Sequence, residues 1–277
     1  MPKEWTGERL ETFVLNDSTI EHLHRYAIAK EFVQNKRVLD IACGEGYGSN
    51  LLAASAHLVN GVDIDQATIN HASQKYKKEN LSFIQGSVEK IPFEAATFDV
   101  AVSFETIEHT TEHISMLKEI KRVLKPGGLL LISTPDKKSY SDMPGYKNPF
   151  HKKELYKEEF DKLLSENFEY HSLYYQNLHL TSLLMNAHSL SLKIYDGDYN
   201  SINSPDIIEP LYFLALCSDQ EIPKLASSIF TGKGTLEDAL REKEEAIKNL
   251  PSYKLGHALL SPAKFLRKLF SKKTNHH

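Results

Sequence analysis

Short apolar runs alternate with amphipathic stretches between residues 38 and 134, and this alternation constrains the fold more than any other feature of the chain. The runs are VLDIA, HLVNGVDID, LSFIQGS, FDVAVSFE and LLLIST, and segments such as QATINHASQKYKKEN and SMLKEIKRVLKPGG between them have helical spacing. Strands that alternate with helices imply right-handed crossovers and a parallel sheet with helices on both faces. The fourth run is apolar almost throughout, as in a strand that is covered on both sides. The sequence therefore predicts an α/β fold with a doubly wound, mostly parallel sheet.

The pattern loosens after residue 134. A helical segment at 157–167 and a strand-like segment at 168–176 are followed by a loop-rich stretch, predicted to be an insertion at 177–207, and by an apolar strand at 210–218. The predicted organisation is a cap segment at 1–35, a main domain at 36–218 that includes the insertion, and a helical, basic tail at 219–277.

Bulk composition narrows the class of protein. The net charge of −4 does not favour a nucleic-acid partner, and two cysteines in 277 residues do not make a disulfide framework. The N-terminus MPKEWTGERLETF lacks the apolar core of a secretory signal, and no apolar run reaches the ~20 residues of a membrane span. We expect a cytoplasmic protein.

The turn after the first strand, CGEGYG, places Gly44, Gly46 and Gly48 before a helix. In such a turn the backbone N–H groups and the helix N-terminus face a polar or anionic ligand. Asp63 follows 19 residues after Gly44, at the end of the second strand, where a carboxylate can bind both hydroxyls of a ribose. The turn and the acid together predict a nucleoside ligand. A P-loop is excluded because no GK[ST] follows; a nicotinamide site stays open, although its spacing is G-x-G-x-x-G.

Residues 36–134 resemble the class I S-adenosylmethionine (SAM)-dependent methyltransferases in four ordered motifs: VLDIACGEGYG, GVDID, IQGSVEKIPFEAATFDVAVSFETIEH and RVLKPGGLLLIST. The resemblance implies a Rossmann-like methyltransferase (EC 2.1.1.-) with a mostly parallel seven-stranded sheet and SAM as its cofactor. It also implies an N-terminal helical cap, an insertion before the last strand and a C-terminal helical tail.

The same resemblance implies a set of cofactor contacts. Asp63 binds the ribose, Ile64 lies against the adenine, and the Val88 N–H faces the ring; Ala42 stands where the family usually has its first glycine, and Ser87 where it often has an acid. The complete set is Arg9, Tyr26, Asp40, Ala42, Gly44, Gly46, Asp63, Ile64, Ser87, Val88, Phe104 and Glu105. Arg9 is equally well explained as a ligand of the SAM carboxylate, as a ligand of a substrate phosphate, or as a solvated side chain.

Two histidines are candidate catalytic bases. His109 follows the fourth strand at the predicted mouth of the site, and His151 lies in NPFH before a helix. Histidine titrates near neutral pH and can accept a hydroxyl proton, but an exposed loop position for His109 and a helix cap for His151 remain alternatives. HTTEH fits the H-x-x-E-H zinc pattern, yet no third ligand and no cluster of carboxylates accompany it in the sequence, so no metal is predicted.

The acceptor is the least determined feature. NPFH and TGERL…EHLHRY resemble methyltransferases associated with sugars and surface polysaccharides, which implies a small-molecule acceptor such as a nucleotide-linked sugar. The alternative is a non-catalytic SAM-binding or nucleoside-binding module in a glycan-assembly complex. A nucleic-acid acceptor is disfavoured because no (D/N)PP(Y/F) tetrapeptide and no basic stripe occur in the catalytic region. The basic, partly apolar stretch 251–277 fits peripheral membrane contact, a dimer contact or a partly disordered tail, and the sequence does not fix the oligomeric state.

Overall fold

The computed structural model of the chain describes residues 10–12, 16–178, 196–197, 202–203, 209–231 and 236–255. Arg9, most of the predicted insertion at 177–207 and residues 256–277 of the basic tail lie outside the described residues. The chain divides into two compact units, residues 1–229 and residues 230–277. Among the described helices, none combines the length and the apolar composition that spanning a bilayer requires.

The first unit contains the alternating strands and helices, and the described part of the second is mostly helical. The elements in chain order are α1 (Asp17–Lys30), β1 (Arg37–Ile41), α2 (Tyr47–Leu52), β2 (Leu58–Asp63), α3 (Gln66–Lys75), β3 (Leu81–Gln85), β4 (Phe98–Phe104), a 3₁₀ turn (Ile107–His109), α4 (His113–Val123), β5 (Leu124–Pro135), a π-type turn (Lys138–Asp142), α5 (Lys157–Ser165), β6 (Tyr170–Gln176), β7 (Asp196–Gly197), β8 (Ile202–Asn203), β9 (Tyr212–Ser218) and α6 (Leu236–Asn249).

Seven of the strands form one sheet in the order β3-β2-β1-β4-β5-β9-β6. The strands from β3 to β5 pair in parallel, whereas β9 pairs antiparallel with β5 on one side and β6 on the other. The predicted fold class, a doubly wound and mostly parallel seven-stranded sheet, is confirmed. Chain order reverses between β1 and β4, and such a switch point is where doubly wound sheets bind ligands.

Apolar side chains cover both faces of this sheet. In β1, Leu39 and Ile41 belong to the core on the face of α4 and α5, whereas Val38 belongs to the core on the face of α1 and α2. Side chains in a strand alternate between faces, so Asp40 points toward α1 and α2. This orientation decides what Asp40 can contact in the site.

Several element ends differ from the sequence-based expectation. The helical pattern in QATINHASQKYKKEN continues to residue 80, but α3 ends at Lys75, because Tyr76 is extended at φ −114° and ψ 105°. Strand β5 begins at Leu124, before the glycine turn, because Leu124 already pairs with Phe98 of β4. The pairing resumes beyond the turn, where Leu129 lies opposite Val100.

Candidate active site

A cavity of about 380 Å³ opens at the carboxyl ends of β1, β2 and β4. Its wall includes the last residues of these strands, the glycine turn and part of α1. The cavity therefore lies at the switch point of the sheet. Of the predicted site residues within the described part of the chain, all except Asp40 and Gly46 line it.

The glycine turn and the acid of β2 are joined directly. The Gly44 N–H donates a hydrogen bond of 3.0 Å to Asp63 Oδ2, and the Asp65 N–H donates one of 2.9 Å to Asp63 Oδ1. Gly44 adopts φ +52°, a left-handed conformation that favours glycine. Asp63 is 2% exposed, so its carboxylate is held at the cavity wall with a fixed orientation.

Gly46 serves the turn and the packing behind it. It has φ +88°, and a Cβ atom at this position would lie 2.6 Å from the ring of Phe83 and 3.0 Å from Cβ of Ala72. A side chain here would collide with β3 and α3. Gly46 does not line the cavity, and its assignment to the cofactor stays a prediction.

Asp40 likewise lies behind the cavity wall and does not line it. It accepts hydrogen bonds from Tyr26 Oη at 3.2 and 3.3 Å and from Ser49 Oγ at 2.6 Å. Burial raises the pKa of Asp40 to about 6. Because its carboxylate is occupied by these two hydroxyls, Asp40 positions Tyr26 and does not contact the cavity.

Tyr26 is buried between α2 and the cavity. Its ring packs edge-on against Phe104 with the centroids 5.1 Å apart, and both residues line the cavity. Gly48 of α2 leaves the space for this ring, since a Cβ at Gly48 would lie 1.9 Å from Tyr26 Cζ. The third glycine of the turn is therefore a packing requirement of Tyr26.

The end of the cavity beside β2 and β3 offers an apolar surface. Ile64 is 65% exposed, which is unusual for isoleucine, and it lies next to Ser87 and Val88 in the lining. The Ser87 Oγ accepts a hydrogen bond from the Glu89 N–H at 3.2 Å. An exposed aliphatic side chain beside polar loop atoms suits a flat heteroaromatic ring.

Glu105 is fixed by contacts from β5 and α1. It adopts φ +49°, its N–H donates to Ser133, and Ser133 Oγ donates back to Glu105 Oε1 at 2.6 Å. Arg25 Nη1 lies 3.4 Å from the same carboxylate oxygen, and Arg25 is 1% exposed. Its guanidinium also lies 4.5 Å from the ring centroid of Tyr212, and its Nε donates to Gln176 at 2.7 Å. No sequence pattern distinguishes Arg25, because a buried arginine on an amphipathic helix has the same spacing as a solvated one.

His109 and His151 meet at the wall of the cavity. Their ring centroids are 5.1 Å apart with the planes nearly perpendicular. His109 Nδ1 lies 3.0 Å from the carbonyl oxygen of Phe150, and His151 Nδ1 lies 2.5 Å from Glu154 Oε1. The ring of Tyr140 stacks on His151 at 5.4 Å. The structure thus brings the two predicted bases into one polar cluster.

Glu108 belongs to the same cluster and was missed by the sequence reasoning. It is 1% exposed, its Oε2 accepts a hydrogen bond of 3.1 Å from Thr134 Oγ1, and its Oε1 lies 4.0 Å from His109 Nε2. Burial, reinforced by the negative charge of Glu105, raises the pKa of Glu108 well above its usual range. His113 of the H-x-x-E-H pattern lines a separate pocket.

Comparison with known proteins agrees with this geometry. A family model described as a methyltransferase domain matches residues 39–132. A probable S-adenosylmethionine-dependent methyltransferase of Mycolicibacterium smegmatis is 40% identical over 130 residues, which are 46% of this chain and 49% of that protein. A phthiotriol/phenolphthiotriol dimycocerosates methyltransferase of Mycobacterium ulcerans is 37% identical over 119 residues, 42% of this chain and 43% of that protein. The chain spans about half the length of the curated relatives it matches.

Solved structures show the same fold. A Thermotoga maritima SAM-dependent methyltransferase, described as a possible histamine N-methyltransferase, aligns with a TM-score of 0.54 at 20% identity, over 73% of this chain and 90% of that one. The YcgJ protein of Bacillus subtilis aligns with a TM-score of 0.51 at 19% identity, over 72% of this chain and 100% of that one. The resemblance seen in the sequence, to the class I SAM-dependent methyltransferases, is confirmed.

Proposed function

We propose that this chain, which carries a class I SAM-dependent methyltransferase domain, transfers the methyl group of SAM to a hydroxyl group of a small molecule, most simply a sugar or a nucleotide-linked sugar. The proposal depends on one observation. One and the same cavity is lined by residues suited to a nucleoside, Gly44, Asp63 and Ile64, and by the cluster around His109 and His151.

The cofactor already carries an activated methyl group, so the first task of the protein is orientation. Gly44 and Asp63 fix the adenosine portion through the backbone and the ribose, while Tyr26 and Phe104 shape the wall beside it. Holding the acceptor oxygen in line with the S–CH₃ bond converts an encounter between two molecules into a reaction within one complex.

The polar cluster favours a hydroxyl acceptor over an amine. An oxygen lone pair attacks the methyl carbon, the C–O bond forms as the C–S bond breaks, and the electron pair of that bond returns to sulfur. The hydroxyl proton must leave at or after this step, whereas an amine needs only to arrive unprotonated. Glu108, His109 and His151 line the cavity together and can activate a hydroxyl in this way.

The wall around the cluster has features that suit a sugar phosphate. Tyr140 and Tyr212 line the cavity, where aromatic rings can pack against a sugar. Lys152 also lines it, and the ammonium group of this side chain can pair with phosphate. The motifs NPFH and EHLHRY, which resemble those of sugar methyltransferases, support the same acceptor class.

Labelled SAM offered with a panel of nucleotide-linked sugars, free sugars and lipid alcohols tests the proposal. We expect transfer to a sugar hydroxyl, reduced at least about 100-fold in His109→Ala and His151→Ala. The affinity of both variants for the product S-adenosylhomocysteine (SAH) should stay within threefold of the wild type. His71→Ala, which removes an exposed histidine of α3, is the matched control and should behave as the wild type. SAH binding without transfer to any acceptor would instead support the non-catalytic module.

A further inference from the structure

We propose that Glu108, His109 and His151 together bind one divalent transition-metal ion, and that this ion holds the acceptor hydroxyl. The existence of the metal site is independent of the activity, whereas the role of the ion rests on the proposed function. In this site the two histidines are metal ligands and not proton acceptors.

The three residues form a suitable ligand set. Each offers one ligand atom, and these atoms all lie within 4.8 Å of one another at the wall of the cavity. Two imidazoles and one carboxylate are the protein ligands of many catalytic zinc and non-haem iron sites, in which the remaining positions stay open for substrate. Magnesium and calcium prefer oxygen ligands, so the set points to zinc, manganese, cobalt or iron.

Both histidines are oriented as metal ligands usually are. His109 Nδ1 faces the Phe150 carbonyl and His151 Nδ1 faces the Glu154 carboxylate. A carbonyl and a carboxylate are acceptors, so Nδ1 bears the hydrogen in each ring and Nε2 bears the lone pair. Metal-binding histidines are commonly held by such outer hydrogen bonds, which fix the tautomer and the ring direction.

Glu108 supplies an independent observation. Its side chain is 1% exposed, and its Oε1 accepts no hydrogen bond from any residue that the structure describes. Its other oxygen is held by Thr134, which fixes the plane of the carboxylate. Burying a polar atom without a partner is unfavourable, and buried charges are normally paired or bound to metals. A cation between Glu108 and the imidazoles provides that partner.

Metal binding requires a small contraction of the cluster. Ligand bonds of about 2.1 Å place tetrahedral donors about 3.4 Å apart, so the donor atoms must approach one another by up to about 1.4 Å. His151 lies between the π-type turn and α5, outside regular secondary structure, where a movement of this size does not disturb the sheet. Asn148 Nδ2, now 3.0 Å from His151 Nε2, gives up that contact when the nitrogen binds the ion.

The ion gives the cluster a defined chemical role. A hydroxyl that coordinates a divalent ion has a lowered pKa, as bound water does, and its proton passes to solvent water. The oxygen then attacks the methyl carbon of SAM as the C–S bond breaks, giving the methyl ether and SAH. The oxidation state of the metal does not change.

Metal titration of the full chain tests the site. After treatment with a chelator, the protein is titrated with Zn²⁺, Mn²⁺ and Co²⁺ by calorimetry, and Co²⁺ binding is also followed by its visible absorption. We expect one ion per chain, binding at least about 100-fold weaker in Glu108→Gln and in His151→Asn, and about 10-fold to 100-fold weaker in Glu154→Gln, which removes an outer hydrogen bond. His71→Ala should bind the ion as the wild type does.

SAH affinity, measured in the same samples, distinguishes a failure of the metal site from a failure of the proposed function. Unchanged SAH binding shows that the variants are folded. Failure of the wild type to bind any of the three ions, or binding that both Glu108→Gln and His151→Asn leave intact, overturns the metal site. If the wild type does not bind SAH, the proposed function is overturned, whereas the metal titration remains valid. Methyl transfer should fall at least about 100-fold on chelation and return with the ion; transfer that is unaffected by chelation overturns the role of the metal.

Discussion

Replacing Gly48 by alanine tests how the glycine turn, Tyr26 and Asp40 depend on one another. Gly48 lies in α2, and alanine in a helix is usually more favourable than glycine by about 0.5–1 kcal/mol. On propensity alone, Gly48→Ala should raise the stability of the protein.

The structure implies the opposite sign. The new Cβ would lie 1.9 Å from Tyr26 Cζ and 2.2 Å from its Oη, whereas ordinary contact begins near 3.4 Å. Tyr26 must therefore move by more than an ångström and give up its hydrogen bond to Asp40. Overpacking costs about 1–3 kcal/mol and a lost hydrogen bond to a charged group about 1.5–3 kcal/mol, so we expect a net destabilisation of about 2–5 kcal/mol.

Thermal unfolding measures this change. For a unit of this size, 1 kcal/mol corresponds to about 2–4 °C, so the midpoint should fall by about 5–15 °C. SAH affinity should fall as well, because Tyr26 forms part of the cavity wall. Asn50→Ala, a substitution in the same helix with no such clash, serves as the control and should change the midpoint little.

A double-mutant cycle identifies the cause. In the Tyr26→Ala background the clash is absent, so Gly48→Ala should be nearly neutral there, which corresponds to a coupling of about 2–5 kcal/mol. An unchanged or higher midpoint for the single variant Gly48→Ala, with SAH affinity intact, would refute the reasoning.

Three further expectations follow from the site. Asp63→Ala should weaken SAH binding at least about 100-fold in calorimetry, since the two proposed hydrogen bonds from the ribose to a charged group are lost. Glu79→Ala, which removes an exposed carboxylate, is the control and should not weaken it. Equal SAH affinities for Asp63→Ala and the wild type would contradict the ribose assignment. Ile64→Ala should leave the unfolding midpoint unchanged because the side chain is 65% exposed, yet weaken SAH about fivefold, and an unchanged affinity would remove Ile64 from the adenine site. Burial raises the pKa of Glu21 from 4.5 to about 7. The contribution of this residue to the free energy of unfolding is therefore full below about pH 4.5 and is lost as the pH rises through about 7. The loss amounts to at most about 3 kcal/mol. Glu21→Gln should therefore flatten the decline of the unfolding midpoint between pH 4.5 and 7, and a slope identical to that of the wild type would show that Glu21 does not titrate as inferred.

The fold was readable from the sequence where a local pattern decides the structure. Buried parallel strands must be apolar, so β1, β4 and β5 could be recognised directly. The end of α3 could not, because the amphipathic pattern persists to residue 80 while the backbone turns extended at Tyr76. The pairing of β9 with β5 and β6 joins segments that are distant in sequence, and no local pattern records such pairing.

The site residues, too, could be predicted only where a local sequence pattern marks them. Gly44, Asp63 and Ile64 line the cavity, and they could be predicted because the motifs that contain them are contiguous. Asp40 and Gly46 belong to those motifs, but strand alternation and the ring of Phe83 give them supporting roles that spacing does not reveal. Arg25 and Glu108 carried no signal, since their importance comes from burial against residues of other elements. The cluster of Glu108, His109 and His151 became visible only when the fold brought together two loops.

The position of β9 has a consequence for how the protein is made. It is the last strand of the sheet to leave the ribosome, yet it lies between β5 and β6. Neither β5 nor β6 can therefore pair with β9 until residues 212–218 have been synthesised. Until then the nascent chain exposes two unpaired edges, and the wall to which Tyr212 belongs is incomplete. The complete cavity wall therefore forms only after translation has passed this strand.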